Sequence, residues 1–370
     1  MILPLDKNLV GTRSKKIQYF YHSCMILPVH ISCSTGISSL KTDNFVMKLL
    51  FELSGENPTL PRAELECVAT VLDGRMQVAV AECPNPDAAH RLAMTHIVLK
   101  YLGECAPDIH SFRQLLQELA IETSRPFSGR VKKVHTGYHF RDACSQRDFE
   151  RLIGTMITGP VRLRNPEVEF RAILSEDRCY FGRVLYRINR GSYNERNPGR
   201  RDFFHPGVMM PRMARTLVNL SCAGSRDCLL DPFCGTGGIL IEADALGIRV
   251  IGSDADPVMI AGCRENISQS SLIIADATRL PFSDFRVDAI VTDFPYGQSV
   301  CIRKTDTMEQ LYHNTLLEIS RVLRPGCRAV VVTHRNIAGI ANEYLKIVQR
   351  HTQRVHKSLT RQILVLRKRS

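Results

Sequence analysis

Between Cys228 and Gly238 the chain reads Cys-Leu-Leu-Asp-Pro-Phe-Cys-Gly-Thr-Gly-Gly, and few folds accept such a stretch. Leu229 and Leu230 follow a polar, turn-prone segment and predict a short buried strand, with Asp231 at its end. Gly235, Thr236, Gly237 and Gly238 make a tight loop, and Ile239–Leu246 reads as a helix. Strand, glycine loop and helix form the first unit of a doubly wound sheet, whose ligand crevice lies beyond the strand ends. A glycine loop alone is equally consistent with a structural turn, so the next strands decide. Arg249–Asp254 predicts the second strand, with an acid at its end. The step from Gly235 to Asp254 is close to the roughly 20 residues that separate a nucleotide loop from the acid that takes the ribose hydroxyls. Asp256-Pro257 reads as the start of the following helix. Leu272–Ala275 is the third strand, and Asp276 at its end could reach an adenine edge. Val287–Val291 is the fourth, followed directly by Thr292-Asp293-Phe294-Pro295-Tyr296-Gly297.

Two cofactors compete for such a crevice. A dinucleotide site prefers Gly-x-Gly-x-x-Gly, with backbone pressed against a pyrophosphate. Here an acid, Asp231, precedes a Gly-x-Gly loop. That arrangement suits a cofactor with a positive amino group and no phosphate. S-adenosylmethionine fits the description and NAD does not. Asp231 would orient its methionine end, and Gly235 and Gly237 would let the backbone approach it; Asp254 and Asp276 would serve the nucleoside.

The stretch Thr292–Gly297 resembles the Asp/Asn-Pro-Pro-Tyr motif of methyltransferases acting on exocyclic amines of bases. Such an amine is a poor nucleophile, because its lone pair is delocalised into the ring. By the resemblance, Asp293, Phe294, Pro295 and Tyr296 form the catalytic motif: the Asp293 carboxylate and the Phe294 carbonyl accept the amine's hydrogens, and Tyr296 offers a face on which the base stacks. A carboxylate also stabilises the positive charge that builds on the attacking amine, and can take its proton. This chemistry needs no metal. Phe294 departs from the motif, where proline is usual, which puts the pocket's shape in question.

The rest of the 370-residue chain allows two or three domains. The net charge of +12 points to a polyanionic partner, nucleic acid above all. The 13 cysteines are scattered with no Cys-x-x-Cys pair, so neither a zinc ribbon nor a thioredoxin-like site is supported, and free thiols in this number suit a reducing cytosol. No apolar run is long enough for a membrane span. Residues 1–46 repeat Met-Ile-Leu-Pro and lack periodicity; a start at Met47 or a disordered leader is expected. From Met47 to about residue 120 the pattern predicts a small α+β domain: strand Lys48–Leu53, helix Pro61–Leu72 capped by Thr59, strand Gln77–Ala81 and helix Pro86–Leu102. His90 and His96 stand without a companion cluster and read as packing residues. Residues 121–186 form a second unit, with a basic strand at Phe127–Thr136, a helix at Ser145–Thr158, strands at Val161–Arg164 and Val168–Leu174, and Tyr180–Tyr186 at its end. Its Arg130, Lys132, Lys133, Arg141, Arg162, Arg164 and Arg171 make either a phosphate-contacting surface or a solvated basic face.

Within that unit, Leu152-Ile153-Gly154 and Val161-Arg-Leu-Arg-Asn-Pro-Glu-Val168 are similar to the core of the THUMP domain, an RNA-binding module of tRNA-modifying enzymes that follows a ferredoxin-like domain. Residues 187–207 read as a linker, in which His205 is either catalytic, an edge of the cofactor pocket, or a cap of the helix Pro211–Leu220. Residues 208–370 form the methyltransferase-like domain, with a helix at Leu311–Val322, a turn at Arg324-Pro325-Gly326, a strand at Arg328–Thr333, a helix at Tyr344–His351 and a terminal hairpin of Thr352–Val355 with Ile363–Leu366.

From Met47 onward the chain thus resembles the archaeal-type THUMP tRNA guanine-N2 methyltransferases. The resemblance implies an α/β fold: a class I Rossmann-like, S-adenosylmethionine-dependent domain preceded by a ferredoxin-like/THUMP region. It implies N2-methyl- or N2,N2-dimethylguanosine at position ten of tRNA, made without an obligatory protein partner. Three rivals stay open: an N6-adenine methyltransferase, since adenine presents a similar amine; a guanine-N2 RNA methyltransferase acting at another site; and an RNA-binding protein whose methyltransferase-like domain is an inactive scaffold.

Overall fold

The computed structural model describes residues 47–134, 145–267, 271–296, 307–357 and 359–369. The expectations for residues 1–46, Arg141 and Gly297 fall outside them. Asn44–Ser370 is one compact unit. Among the described residues its strands form two sheets of seven.

The first sheet is built from β1 (Met47–Leu53), α1 (Leu60–Leu65), β2 (Thr70–Arg75), β3 (Val78–Cys83), β4 (Thr95–Cys105), α2 (Ile109–Leu119), β5 (Phe127–Lys133), α3 (Gln146–Met156), β6 (Val168–Ser175) and β7 (Arg178–Arg187). Its order is β2-β3-β1-β4-β7-β6-β5, antiparallel except for β5 with β6. The division expected near residue 120 does not divide this sheet, because β4 pairs with β7.

Several local expectations change here. Pro86–Leu102 is not a helix: a 3-10 turn over Pro86–Arg91 gives way to β4. Thr95, Ile97 and Val98 are β-branched, and β4 runs centrally between β1 and β7. A central strand is covered on both faces, so its apolar residues run on without a helical period. The helix at Pro61 stops at Leu65, and its amides are capped by Asn57 rather than Thr59: Asn57 Oδ1 accepts from the amides of Thr59 and Leu60, each at 3.0 Å. Val161–Arg164 is no strand but a single bridge, Phe127 with Val161. The helix Ser145–Thr158 forms as α3, with Ser145 and Asp148 closing a capping box.

The second sheet contains α4 (Pro211–Leu220), β8 (Cys228–Asp231), α5 (Gly238–Asp244), β9 (Arg249–Asp254), α6 (Pro257–Asn266), β10 (Ser271–Ile274), β11 (Val287–Asp293), α7 (Met308–Val322), β12 (Leu323–Thr333), α8 (Ala338–Tyr344), β13 (Lys346–His356) and β14 (Leu359–Arg367). Its order is β10-β9-β8-β11-β12-β14-β13. The first five are parallel, β14 runs antiparallel to β12, and β13 pairs antiparallel with β14. Tyr344–His351 is therefore not helical; α8 ends at Tyr344, and β13 pairs along β14 to the edge. The expected turn at Arg324–Gly326 is a register shift inside β12, with Gly326 at φ 77°.

This topology fixes the ligand edge. In a parallel sheet the crevice lies outside the carboxyl ends of the strands, where the strand order reverses. β8 is where the chain order turns, with β9 on one side and β11 on the other. No helix among the described residues is long and apolar enough to cross a membrane.

Candidate active site

Asp231, Asp254 and Asp293 end β8, β9 and β11, so three carboxylates reach one edge of the sheet. Between them the loop after β8 turns through two glycines with left-handed backbone, Gly235 at φ 48° and Gly237 at φ 82°. A side chain at Gly237 would strain that backbone and place its Cβ 2.7 Å from the Cys263 sulfur of α6. The cleft above this loop is lined by His205–Met209, Asp231, Phe233–Thr236, Gly238, Ile239, Met259 and Asp293.

Asp231 is 1% exposed. Its Oδ1 accepts from the Thr292 hydroxyl at 2.7 Å and from the Phe233 amide at 3.2 Å. Burial pushes its carboxyl up to about 7, against these two bonds, with Asp254 and Asp293 adding repulsion. Asp254 accepts from the amides of Gly235 and Asp256, each at 3.0 Å, and burial raises it too. The acid thus holds the glycine loop from the end of β9, and does not itself line the cleft. Asp256 caps α6 through the Val258 amide, as expected. Asp276 is exposed, folds onto the amide and hydroxyl of Thr278, and does not line the cleft.

Asp293 is partly buried, and its Oδ1 accepts from the Tyr296 hydroxyl at 2.8 Å. Arg361 Nη2 lies 3.5 Å from its Oδ2. Burial raises the Asp293 carboxyl; Arg361 and then Tyr296 oppose the shift. Phe294 points the other way. Its ring is 1% exposed and packs between Phe233 and Tyr312, with centroids 5.4 and 5.3 Å apart. Its amide donates to the Val332 carbonyl at 2.8 Å. The ring at this position therefore fills the core beneath α7 and does not narrow the cleft. Pro295 and Tyr296 are half-buried, and the Tyr296 ring meets His334 edge-on at 5.0 Å. His205 sits at the rim, its Nδ1 against the Pro206 carbonyl at 2.9 Å. It does not cap α4, whose N-cap is Met210.

The lining of the cleft selects its ligand. Among the described residues it presents two carboxylates and neither lysine nor arginine. A pyrophosphate would be repelled there, whereas a cationic cofactor is favoured. The residues lining it fit S-adenosylmethionine.

The basic residues predicted to meet RNA do not act as a set. Lys132 Nζ is bound to Glu52 Oε1 at 2.7 Å, and Arg171 holds the other Glu52 oxygen at 2.6 Å. Glu52 is buried, so these cations are committed to neutralising it. Lys133 lies in the field of Asp148, and Arg130 donates to the Leu163 carbonyl at 2.8 Å. Arg162 and Arg164 remain exposed, Arg162 with only a distant Glu167 at 4.0 Å.

Known proteins share much of this sequence. The sequence profile described as the RMKL-like methyltransferase domain matches residues 198–363. The tRNA (guanine(10)-N2)-dimethyltransferase of Methanothermobacter thermautotrophicus is 34% identical over 340 residues, covering 86% of this chain and 99% of its own. The chain belongs to the tRNA (guanine(10)-N2)-dimethyltransferase family. A second member, from Methanocaldococcus jannaschii, is 31% identical over 67% of this chain and 82% of its own. Among solved structures, TrmN from Thermus thermophilus aligns over 87% of this chain and 99% of its own, at 20% identity and a TM-score of 0.49.

Two site residues of this family member were not singled out from sequence. Thr292 begins the motif, and its hydroxyl ties Asp293's strand to Asp231. Arg361 lies 65 residues beyond Tyr296 and carries no local signal.

Proposed function

We propose that this family member transfers a methyl group from S-adenosylmethionine to the exocyclic N2 of a guanosine in tRNA, at position ten, and adds one or two methyls. It does so in the cytoplasm, alone and without a metal. The observation that carries the reading is the Asp293 carboxylate at the strand edge, sharing a cleft with the buried Asp231. The bound cofactor supplies an electrophilic methyl on a sulfonium. Asp231 binds its amino group and Asp254 its ribose hydroxyls, while the glycine loop lets backbone lie close. Asp293 and the Phe294 carbonyl accept the hydrogens of the target amine, which turns its lone pair toward the methyl. Asp293 also stabilises the positive charge developing on that nitrogen and receives its proton. Tyr296 lies beside Asp293 and offers its ring to the base.

The test is methylation of an unmodified tRNA transcript by the purified chain alone, with labelled S-adenosylmethionine, nucleoside mass spectrometry and position mapping. N2-methylated guanosine at position ten is expected. Methylated adenine would move the substrate to the N6 rival, and bound cofactor with no product on tRNA would favour the scaffold reading.

Two further results are expected. In the free protein Asp231 holds its proton below about pH 7, and a cationic ligand favours the carboxylate. Cofactor affinity should therefore rise about tenfold per pH unit up to that point and then level off, with a proton released on binding at the lower pH. Calorimetry in buffers of different ionisation enthalpy reads both quantities; flat affinity with no proton release would detach Asp231 from the cofactor.

We infer that RNA meets the THUMP-like region at Arg162 and Arg164, which are exposed, rather than at Lys132, which is paired with Glu52. Replacing both arginines with alanine should weaken tRNA binding and reduce the slope of log affinity against log salt by about 1 for each arginine that meets a phosphate. An unchanged slope would put the RNA on another face.

A further inference from the structure

We propose that Arg361 is a positioning residue for methyl transfer, fixing the Asp293 carboxylate and the Tyr296 hydroxyl in the arrangement that receives the target amine. The proposal rests on the reading of Asp293 given above. β14 runs antiparallel to β12, with Gln362 opposite Thr333. Arg361 therefore lies one residue past the last pair, at the edge where β11 ends in Asp293. Arg361 as a whole is 6% exposed. Its Nε donates to the Tyr296 hydroxyl at 2.9 Å, its Nη2 lies 3.5 Å from Asp293 Oδ2, and the Tyr296 hydroxyl donates to Asp293 Oδ1 at 2.8 Å. The three side chains close a ring.

A buried guanidinium is costly unless it is paired, and these two partners both belong to the strand-end motif. The ring engages each carboxylate oxygen from the protein side and so sets the carboxylate plane. The remaining acceptor capacity of Asp293 is then left for an amine. Among the described residues, the ionisable groups facing Asp293 come from four elements: Arg361 of β14, Tyr296 of the loop after β11, Asp231 of β8, and His334 just past β12 against the Tyr296 ring. Asp254 of β9 acts on Asp231. Burial holds His334 toward its neutral form, which leaves Arg361 as the cation of this set. Without it, Asp293 would meet burial and a neighbouring acid with only the Tyr296 hydroxyl in its favour.

The test is the pH profile of kcat at saturating cofactor, which reports the complex and not free Asp231. It is measured on the full chain for wild type, Arg361→Met, Arg361→Lys and Tyr296→Phe. Arg361→Met should lower kcat about tenfold or more at neutral pH with little change in the cofactor KM, and should move the acid limb upward by about 1 to 3 pH units. The direction follows because the carboxylate is the working form, and loss of the cation lets it protonate at higher pH. Arg361→Lys keeps the charge but not the fork, so it should return most of the limb and only part of kcat. Tyr296→Phe should move the limb the same way by less. An active Arg361→Met protein with the wild-type limb overturns the proposal even if kcat falls, because a purely structural role lowers the rate at every pH. If Arg361→Met does not fold, an unmoved limb in Tyr296→Phe overturns it instead. A wild-type chain that makes no methylated guanine is a separate failure: it removes the functional reading, and this proposal with it.

Discussion

Asp293→Ala is expected to lower methyl transfer about a thousandfold or more while leaving cofactor affinity within about threefold of wild type. The size follows from two roles held by one group. As acceptor, the carboxylate turns the amine's lone pair toward the methyl, which is an alignment effect. As an anion in a partly desolvated cleft, it also stabilises a charge that exists only as the bond forms, which is worth more there than in water. Cofactor affinity is spared because Asp231 and Asp254 sit on other strands and keep their own bonds to Thr292 and to the glycine loop. Asp293→Asn separates the roles: it keeps an oxygen for the Tyr296 hydroxyl but loses the charge, and should fall between the two. Single-turnover methylation of a tRNA transcript, with calorimetry of the cofactor, reads both quantities. Turnover near wild type in the alanine variant would take Asp293 out of the mechanism.

The catalytic half of this fold is legible because its physics is local. Leu229-Leu230 and Ala289-Ile290-Val291 are short apolar runs, as strands covered on both faces must be, and each leads to an acid at the strand end. Order along the chain then places Asp231, Asp254 and Asp293 at one edge without further information. Asp276 shows the limit of that logic. It too follows a strand, but β10 is the outermost strand on its side, and the carboxylate folds onto Thr278. What sequence does not show are pairings between distant segments. Lys132 looks like a phosphate contact until Glu52, 80 residues earlier, is found buried against it. Arg361 looks like one more surface cation until β14 turns back along β12. Phe294 raises doubt about the cleft because sequence cannot say which way a ring at a strand end points. Phe233 and Tyr312 supply the answer, and it is inward. β4 fails for a related reason: a buried central strand and a buried helix are both continuous apolar runs, and only the partners on either side distinguish them.

The connection between the two sheets yields the largest expected loss of stability. Glu242 of α5 is 0% exposed and does not line the cleft. Its oxygens are held by Arg196, from the segment between β7 and α4, at 2.7 Å, and by Arg215 of α4 at 2.9 Å. Arg201 then donates to the Arg196 carbonyl at 3.1 and 3.2 Å, so one buried carboxylate anchors much of what sequence reads as a loose linker. Glu242→Ala leaves the buried Arg215 with no counter-charge, which is expected to cost about 3 to 5 kcal/mol in urea unfolding. Most of that figure is the penalty of an orphaned charge rather than the net worth of the pair. The double variant Glu242→Met with Arg215→Met should therefore recover most of the loss, since Arg196 is the more exposed partner and can turn to water. The same segment carries His205, Pro206 and Gly207 to the rim of the cleft. Glu242→Ala should consequently weaken cofactor binding as well, even though Glu242 itself does not line the cleft. A loss below about 1 kcal/mol, the range of exposed pairs, would mean that water reaches this carboxylate and that the linker is held by other contacts.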